Sequence, residues 1–195
     1  MLLDPILRHG KDQPQAPAFR DTNGEVSWGR TAASVSALAA HLRQTTQAER
    51  VGILLPAASA FPIAFYAILA AGKTAVPINF LLGEQAIGHI IADSGIDTIL
   101  TAPPLAAQVE KLPLNIIDMS KLGGEPPADL PAPHEASESD VAALLYTSGT
   151  SGKPKGVALT HGNLHHDVTA CIEHAALESH HNFLGIIPLF HSTGL

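Results

Sequence analysis

The sequence predicts an α/β fold in which helices flank layers of parallel sheet, and three observations predict it. Short apolar runs at 50–55, 74–78, 97–101 and 115–118 alternate with stretches of helical character at 60–71 and 84–94. That alternation builds a parallel sheet through right-handed crossovers. The run Val51-Gly-Ile-Leu-Leu55 is apolar without alternation, as a strand covered on both faces must be. Glycines, at Gly72 and Gly95, stand where the helices should end, because a C′ residue commonly takes a left-handed conformation.

Taken in order, residues 1–20 read as irregular, interrupted by Pro14 and Pro17. Asp21-Thr-Asn-Gly24 is a turn, and 25–28 is a short strand ending at Trp28, a core or lid aromatic. Val35, Leu38, Ala39 and Leu42 fall at i, i+3, i+4 and i+7, one apolar face of a helix over 30–44. Pro56 stops the 50–55 strand, and Ser59 is placed to N-cap a helix over 60–71 whose first turn tolerates Pro62. That helix is apolar all round and should be buried. Pro77 marks the end or an edge of the 74–78 strand. Ile87, Ile90 and Ile91 give the 84–94 helix its apolar side, and 105–112 reads as a short helix. Residues 120–139, with Pro126, Pro127, Pro131, Pro133 and two glycines, read as a surface linker that need not divide domains.

Thr160 is placed to cap a helix over 161–177 with Leu164, Val168, Cys171, Ile172 and Ala175 on its apolar face. His161 and His165 stand at i, i+4, a spacing that can bind zinc given a third ligand. No H-E-x-x-H occurs, however, and solvated or capping histidines are commoner. His180 and His181 read as a polar turn, and 182–187 as a last strand.

The chain has 195 residues, 46% of them apolar and 15% charged, enough for one domain with a core and too apolar for a disordered segment. A net charge of −7 without a basic run argues against a nucleic-acid partner. A single cysteine, Cys171, rules out an internal disulfide and suits a reducing compartment; its default role is a buried free thiol. The first ten residues lack a signal-peptide core, and the apolar stretch 61–71 is too short to span a bilayer. The expectation is a soluble, cytoplasmic protein.

The densest chemistry lies in Tyr146-T-S-G-T-S-G-K-P-K-Gly156, with three glycines, four Ser or Thr hydroxyls and two lysines between apolar runs. Glycines let a backbone approach a ligand closely, and free N–H groups in such a loop form an anion cradle. Hydroxyls add donors, and Lys153 and Lys155 add positive charge. A polyphosphate suits this set; the plainer reading is a long hairpin rich in turn formers. The loop is not the common P-loop, because Pro154 stands where Ser or Thr would follow the lysine and disfavours helix at Lys153. The phosphates should therefore meet a loop between two strands.

This string, with the following L-T-H-G-N-L (159–164), resembles the signature loop of the adenylate-forming superfamily: acyl- and aryl-CoA ligases, luciferases and peptide-synthetase adenylation domains. A-A-G-K-T-A-V-P-I-N (70–79), I-A-D-S-G-I-D-T-I-L (91–100) and P-L-F-H-S-T-G (188–194) resemble further family segments, and the first and last of these look more like CoA ligases than peptide-synthetase domains. The resemblance covers the whole chain but part of the enzyme. It implies that residues 1–195 are an amino-terminal portion of the AMP-binding large domain. The adenine, ribose and hinge segments and the carboxy-terminal domain with its adenylation lysine would lie elsewhere.

The implied activity is ATP-dependent, AMP-forming ligation of a carboxylic acid, most naturally a fatty acid, to CoA through an acyl-adenylate. The implied cofactor and substrates are Mg2+, ATP, the acid and CoA. Thr147, Ser148, Gly149, Thr150, Ser151, Gly152, Lys153, Lys155 and Gly156 would bind the ATP phosphates, with Thr147 near magnesium. His191 would border the acyl pocket, and no catalytic residue would lie in this chain. Ser151 stands where the family usually has Thr, and the hydroxyl is kept. The piece alone is expected to be inactive and to self-associate, and peripheral membrane contact is a further partner the resemblance admits. The alternatives are a peptide-synthetase adenylation domain and a non-catalytic nucleotide-binding or interaction module.

Overall fold

The computed structural model of the chain describes residues 2–122, 131–147 and 154–195. The chain opens with helix α1 (Asp4–Asp12) and strand β1 (Pro17–Asp21), so the expected irregular start is corrected. The prolines there occupy tolerated places. Pro5 sits in the first helical turn, Pro14 follows the helix, and Pro17 opens a strand. Asp4 in the first turn and His9 and Lys11 in the last favour α1 through the helix dipole.

Strand β2 (Gly24–Ser27) pairs antiparallel with β1. The expected turn closes them, with Gly24 at φ +124° and the Asp21 carboxylate accepting from the Asn23 N–H at 2.7 Å. Helix α2 (Trp28–Thr45) follows, capped by Ser27, and buries Val35, Leu38, Ala39 and Leu42 as the periodicity predicts. Trp28 starts this helix rather than ending β2, against His9 (ring centroids 4.9 Å apart) and Phe19 (6.1 Å).

Strand β3 (Arg50–Leu54), helix α3 (Ala60–Ala70), strand β4 (Thr74–Pro77), helix α4 (Glu84–Ser94) and strands β5 (Thr98–Thr101) and β6 (Asn115–Asp118) form the parallel unit. Strand β7 (Val141–Thr147) joins β4 in parallel, and β8 (Lys155–Thr160) pairs antiparallel on β7. The sheet order is β6-β5-β3-β4-β7-β8. Both faces are covered. Val51, Ile53 and Leu55 pack with α2 and α3, while Leu54 packs with Ile87 and Ile90 of α4 on the other face. The side-chain period of two makes one strand serve both layers. From β3 the chain moves one way to β4 and then back past β3 to β5, and a fixed crossover hand puts the two connecting helices on opposite faces.

Helix α3 is buried along most of its length, as its composition requires. It ends in paired backbone bonds, Lys73 N–H to Ile68 C=O (3.0 Å) and Gly72 N–H to Leu69 C=O (2.9 Å), with Gly72 at φ +75°. Its start departs from expectation. Ser59 is helical and makes no side-chain cap; instead its N–H donates to Asp21 at 2.8 Å. A carboxylate delivered by the β1–β2 turn does what the local hydroxyl does not. Gly95 takes the left-handed C′ position after α4, as expected.

The short helix at 105–112 shrinks to a 3-10 turn, Leu105–Gln108. The described part of the linker is tied down by His134 N–H to Ala70 C=O (2.8 Å) and Arg43 to Ala132 C=O (2.9 Å). Helix α5 (His161–His174) is shorter than 161–177, and its expected apolar face is largely uncovered: Val168 is 49% exposed, Ile172 45%, and Cys171 is exposed rather than buried. Its first turn is tied to the 138–140 segment, through His161 N–H to Asp140 C=O and Gly162 N–H to Glu138 C=O (2.9 Å each). Residues 182–187 are not a strand; Phe183, Leu184 and Ile186 are exposed and the segment pairs with no described strand. β-propensity without a neighbouring ladder leaves a strand unformed. No helix among the described residues is long and apolar enough to cross a membrane.

Ile53 is fully buried at the sheet centre, so Ile53→Ala should lower unfolding free energy by about 2–5 kcal/mol in urea titration. Asp97 joins β5 to the α2–β3 connection, accepting from the Ala48 N–H (2.9 Å) and Gln47 N–H (3.1 Å). Burial pushes its carboxyl up, but these N–H groups and the Thr98 hydroxyl outweigh burial and hold it below its usual value. The Ser59 N–H, against a smaller effect of burial, does the same for Asp21. Folded values below the unfolded value of about 3.9 mean stability that is full above that pH and lost as pH falls through the folded values. Urea midpoints should therefore drop below about pH 4, and Asp97→Ala should remove part of that slope and cost about 1–2 kcal/mol near neutrality.

Candidate phosphate-binding site

The two strands expected to flank the polar loop are present, as β7 and β8. Antiparallel register pairs Leu145 with Val157, Tyr146 with Gly156, and Thr147 with Lys155. The last pair brings a hydroxyl and an ammonium face to face, both exposed, at the open end of the hairpin. Ser148, Gly149, Thr150, Ser151, Gly152 and Lys153 lie outside the described residues. Because β7 runs parallel to β4, the loop leaves from the carboxyl edge of the sheet, the edge at which open α/β sheets bind ligands.

Gly156 stands opposite Tyr146 because a side chain there would crowd the stem. An added Cβ would lie 3.0 Å from Leu144 Cδ1 and 3.3 Å from Tyr146 Cζ. The Tyr146 hydroxyl donates to Asp93 Oδ2 of α4 at 2.6 Å. One turn earlier on α4, His89 Nε2 lies 3.2 Å from the Pro154 carbonyl oxygen. A carbonyl only accepts, so this nitrogen carries the proton. Burial pushes the Tyr146 phenol well above its usual range, and the acceptor and negative charge of Asp93 push it further. These α4 partners were not legible in the sequence. Polar residues at i, i+4 on a helix with apolar isoleucines look like an ordinary solvated face.

His191 is exposed, its Nδ1 accepting from the Thr193 N–H at 3.2 Å and its own N–H donating to the Pro188 C=O at 3.0 Å. Its neighbour Phe190 packs edge-on against Phe80, with ring centroids 5.2 Å apart. Phe80 follows the carboxyl end of β4 and precedes α4. The β4–α4 segment is thus a common neighbour of the P-L-F-H string, through Phe80, and of the phosphate-loop stem, through His89.

At the opposite, amino edge a recess is lined by Arg50, Lys73, His134, Asp140 and His161. His161 is 5% exposed and its Nδ1 has no partner; burial lowers its pKa, with Asp140 opposing. His165 is exposed, so the i, i+4 pair is split between interior and solvent. Among the described residues, no three His, Cys, Asp or Glu side chains gather as a metal-ion set.

A mixed α/β sheet flanked by helices, with the β7–β8 hairpin opening at its carboxyl edge, defines the fold class, and comparison with known proteins gives the family. The chain belongs to the AMP-binding enzyme family, whose model matches residues 6–195. It is 32% identical over 197 aligned positions to a feruloyl-CoA synthase of an Amycolatopsis species, covering 97% of this chain and 39% of that protein. It is 33% identical to a long-chain-fatty-acid–AMP ligase of Mycolicibacterium smegmatis over 88% of this chain and 29% of the relative. Among solved structures, o-succinylbenzoate CoA synthetase of Bacillus subtilis in complex with AMP superposes with a TM-score of 0.83 at 25% identity, over 97% of this chain and 50% of that one. The same synthetase has also been solved with ATP and a magnesium ion. The chain thus spans about two fifths of the first relative and half of the solved synthetase.

The chain has two tyrosines. Burial raises Tyr66, and burial with Asp93 raises Tyr146. Both should ionise at higher pH in the folded chain than in the unfolded one. Because the folded values lie above the unfolded value of about 10, this contribution to stability is full below that pH and lost above it. Absorbance titration near 295 nm should show phenolate in the folded chain displaced to higher pH than in the unfolded chain; coincident titrations would contradict the Tyr146–Asp93 bond.

Proposed function

We propose that the chain is the amino-terminal part of the large domain of an ATP-dependent, AMP-forming carboxylic acid–CoA ligase, with a fatty acid as the acid. The observation that carries this reading is the β7–β8 hairpin, which sets Thr147 opposite Lys155 at the mouth of a loop of glycines and hydroxyls. Ser148, Gly149, Thr150, Ser151, Gly152, Lys153 and Gly156 complete the phosphate set. The donor chemistry fits the ligands: hydroxyl oxygen suits Mg2+, and ammonium and backbone N–H groups suit phosphate oxygens.

In the reaction, a carboxylate oxygen attacks the α-phosphorus of ATP, the bond to the bridging oxygen breaks, and pyrophosphate leaves. The CoA sulfur then attacks the acyl carbon, losing its proton, and AMP leaves. Magnesium, when bound, would offset the negative charge of the phosphates. This chain's part is to hold the β- and γ-phosphates in line and to offset charge on the departing group, a positioning and electrostatic role. Lys153 and Lys155 screen charge and are not bases. His191, beside the Phe80–Phe190 contact, would border the acid. The reaction would occur in the cytoplasm, a setting that a lone thiol suits.

The test is acid-dependent ATP–pyrophosphate exchange with a panel of fatty and aryl acids, on the 195-residue chain and on the full-length product. Exchange by the full-length product alone supports the reading and names the acid; exchange by neither overturns it, and exchange by the short chain alone contradicts the assignment of chemistry to the remainder. Lys155→Ala should raise the KM for ATP about tenfold or more, since a charge-assisted contact is worth ~1.5–3 kcal/mol. The exposed Phe183, Leu184 and Ile186, 75%, 84% and 78% accessible, also support self-association of the 195-residue chain. Sedimentation should show concentration-dependent oligomers, and a monodisperse monomer at high concentration would rule this out.

A further inference from the structure

We propose that His89 and Asp93 of α4 are positioning residues that brace the two stems of the phosphate loop, setting where the Thr147–Lys155 pair sits relative to the rest of the sheet. The inference deepens the ligase reading and rests on it for its effect on ATP. Residues four apart lie on one side of a helix, and here each holds a different stem. Asp93 accepts from the Tyr146 hydroxyl at 2.6 Å, one residue before Thr147. His89 donates to the Pro154 carbonyl at 3.2 Å, one residue before Lys155.

Pro154 has no N–H, so its carbonyl is the only backbone group through which that residue can be tied. The β7–β8 ladder already fixes how the stems pair. It does not by itself fix where the pair sits relative to the rest of the sheet; β4 holds the far end of β7, through Ala75 opposite Ala143 and the Thr74 hydroxyl donating to the Val141 C=O at 2.9 Å. The two α4 bonds supply that attachment near the loop. Beneath them α4 is seated by the fully buried Ile90 and the nearly buried Ile87, so the brace rests on a rigid element. Tyr146 is half-buried and its phenol is bonded to the carboxylate of Asp93, an exposed residue. Gly156 leaves room for its ring. The reacting atoms would not touch His89 or Asp93; both act through the stems.

The test has two arms that fail separately. In the 195-residue chain without nucleotide, amide hydrogen exchange at 145–147 and 155–157 should quicken about three- to tenfold in Asp93→Ala, Tyr146→Phe and His89→Ala, the size of one lost hydrogen bond. It should return towards wild type in Asp93→Asn and His89→Gln, which keep an acceptor and a donor. Unchanged exchange in variants that fold would overturn the brace, whatever the protein's activity.

In the full-length product, the same three variants should raise the KM for ATP about three- to tenfold, leaving kcat and the KM for the acid near wild type. Tyr146→Phe combined with Asp93→Ala should cost no more than either alone. An additive double variant, or losses in kcat with the ATP KM unmoved, would overturn the positioning role. Wild-type protein without pyrophosphate exchange would instead overturn the ligase reading, and the hydrogen-exchange arm alone would then decide the brace. Should Asp93→Ala fail to fold, Asp93→Asn against Tyr146→Phe carries the comparison.

Discussion

Burial of β3 on both faces organises this chain. A parallel strand has no side that can be left to water, so Val51, Ile53 and Leu55 require one apolar layer and Leu54 another. Each fully buried side chain of that size contributes about 1.5–3 kcal/mol, and the residues on β3 alone make the two-sided cover obligatory. Helices α2 and α3 supply one layer and α4 the other. The requirement also sets where polar groups can go. They are driven to the edges of the sheet: the carboxyl edge with the hydroxyl- and lysine-bearing loop, and the amino edge with Arg50, Lys73, His134, Asp140 and His161.

The candidate site inherits its geometry from that arrangement. Strand β7 is placed by β4, and β8 is placed by β7. Helix α4 does two jobs with two sides. Its isoleucines fill the lower layer, and its His89 and Asp93 reach the hairpin. A helix that must be rigid to cover the core is therefore also available to hold the stems of a loop, with no element dedicated to the task.

Much of this was legible in the residues. The strands at 50–55, 74–78 and 97–101, the helices at 30–44, 60–71 and 84–94, and the glycines ending two of those helices followed from period and cap chemistry, which act over a few residues. The strand–loop–strand character of the phosphate segment followed from Pro154. The misses share a cause. Prolines at 14 and 17 suggested irregularity because the neighbours that make them harmless, a helix ending before one and an edge strand beginning at the other, are set by packing on α2. Ser59 looked like a cap because its rival, Asp21, is 38 residues away in sequence. Residues 182–187 looked like a strand because apolar β-formers are counted in sequence, whereas a ladder partner is found only in space.

What the sequence by itself determined is the set of local units and their chemistry: which segments coil, which extend, which bury both faces, and which short stretch gathers glycines, hydroxyls and lysines. Those properties depend on backbone sterics and on side chains within a turn or two of each other. What only the tertiary structure decided is the order β6-β5-β3-β4-β7-β8, the exposure of α5, and the attachment of Tyr146 and Pro154 to α4. The α4 contacts join residues 53 and 65 positions apart, the sheet order depends on which strands meet in space, and the cover of α5 does not form among the described residues. Periodicity carries no information about either, because it records which face a residue takes and not what comes to meet that face.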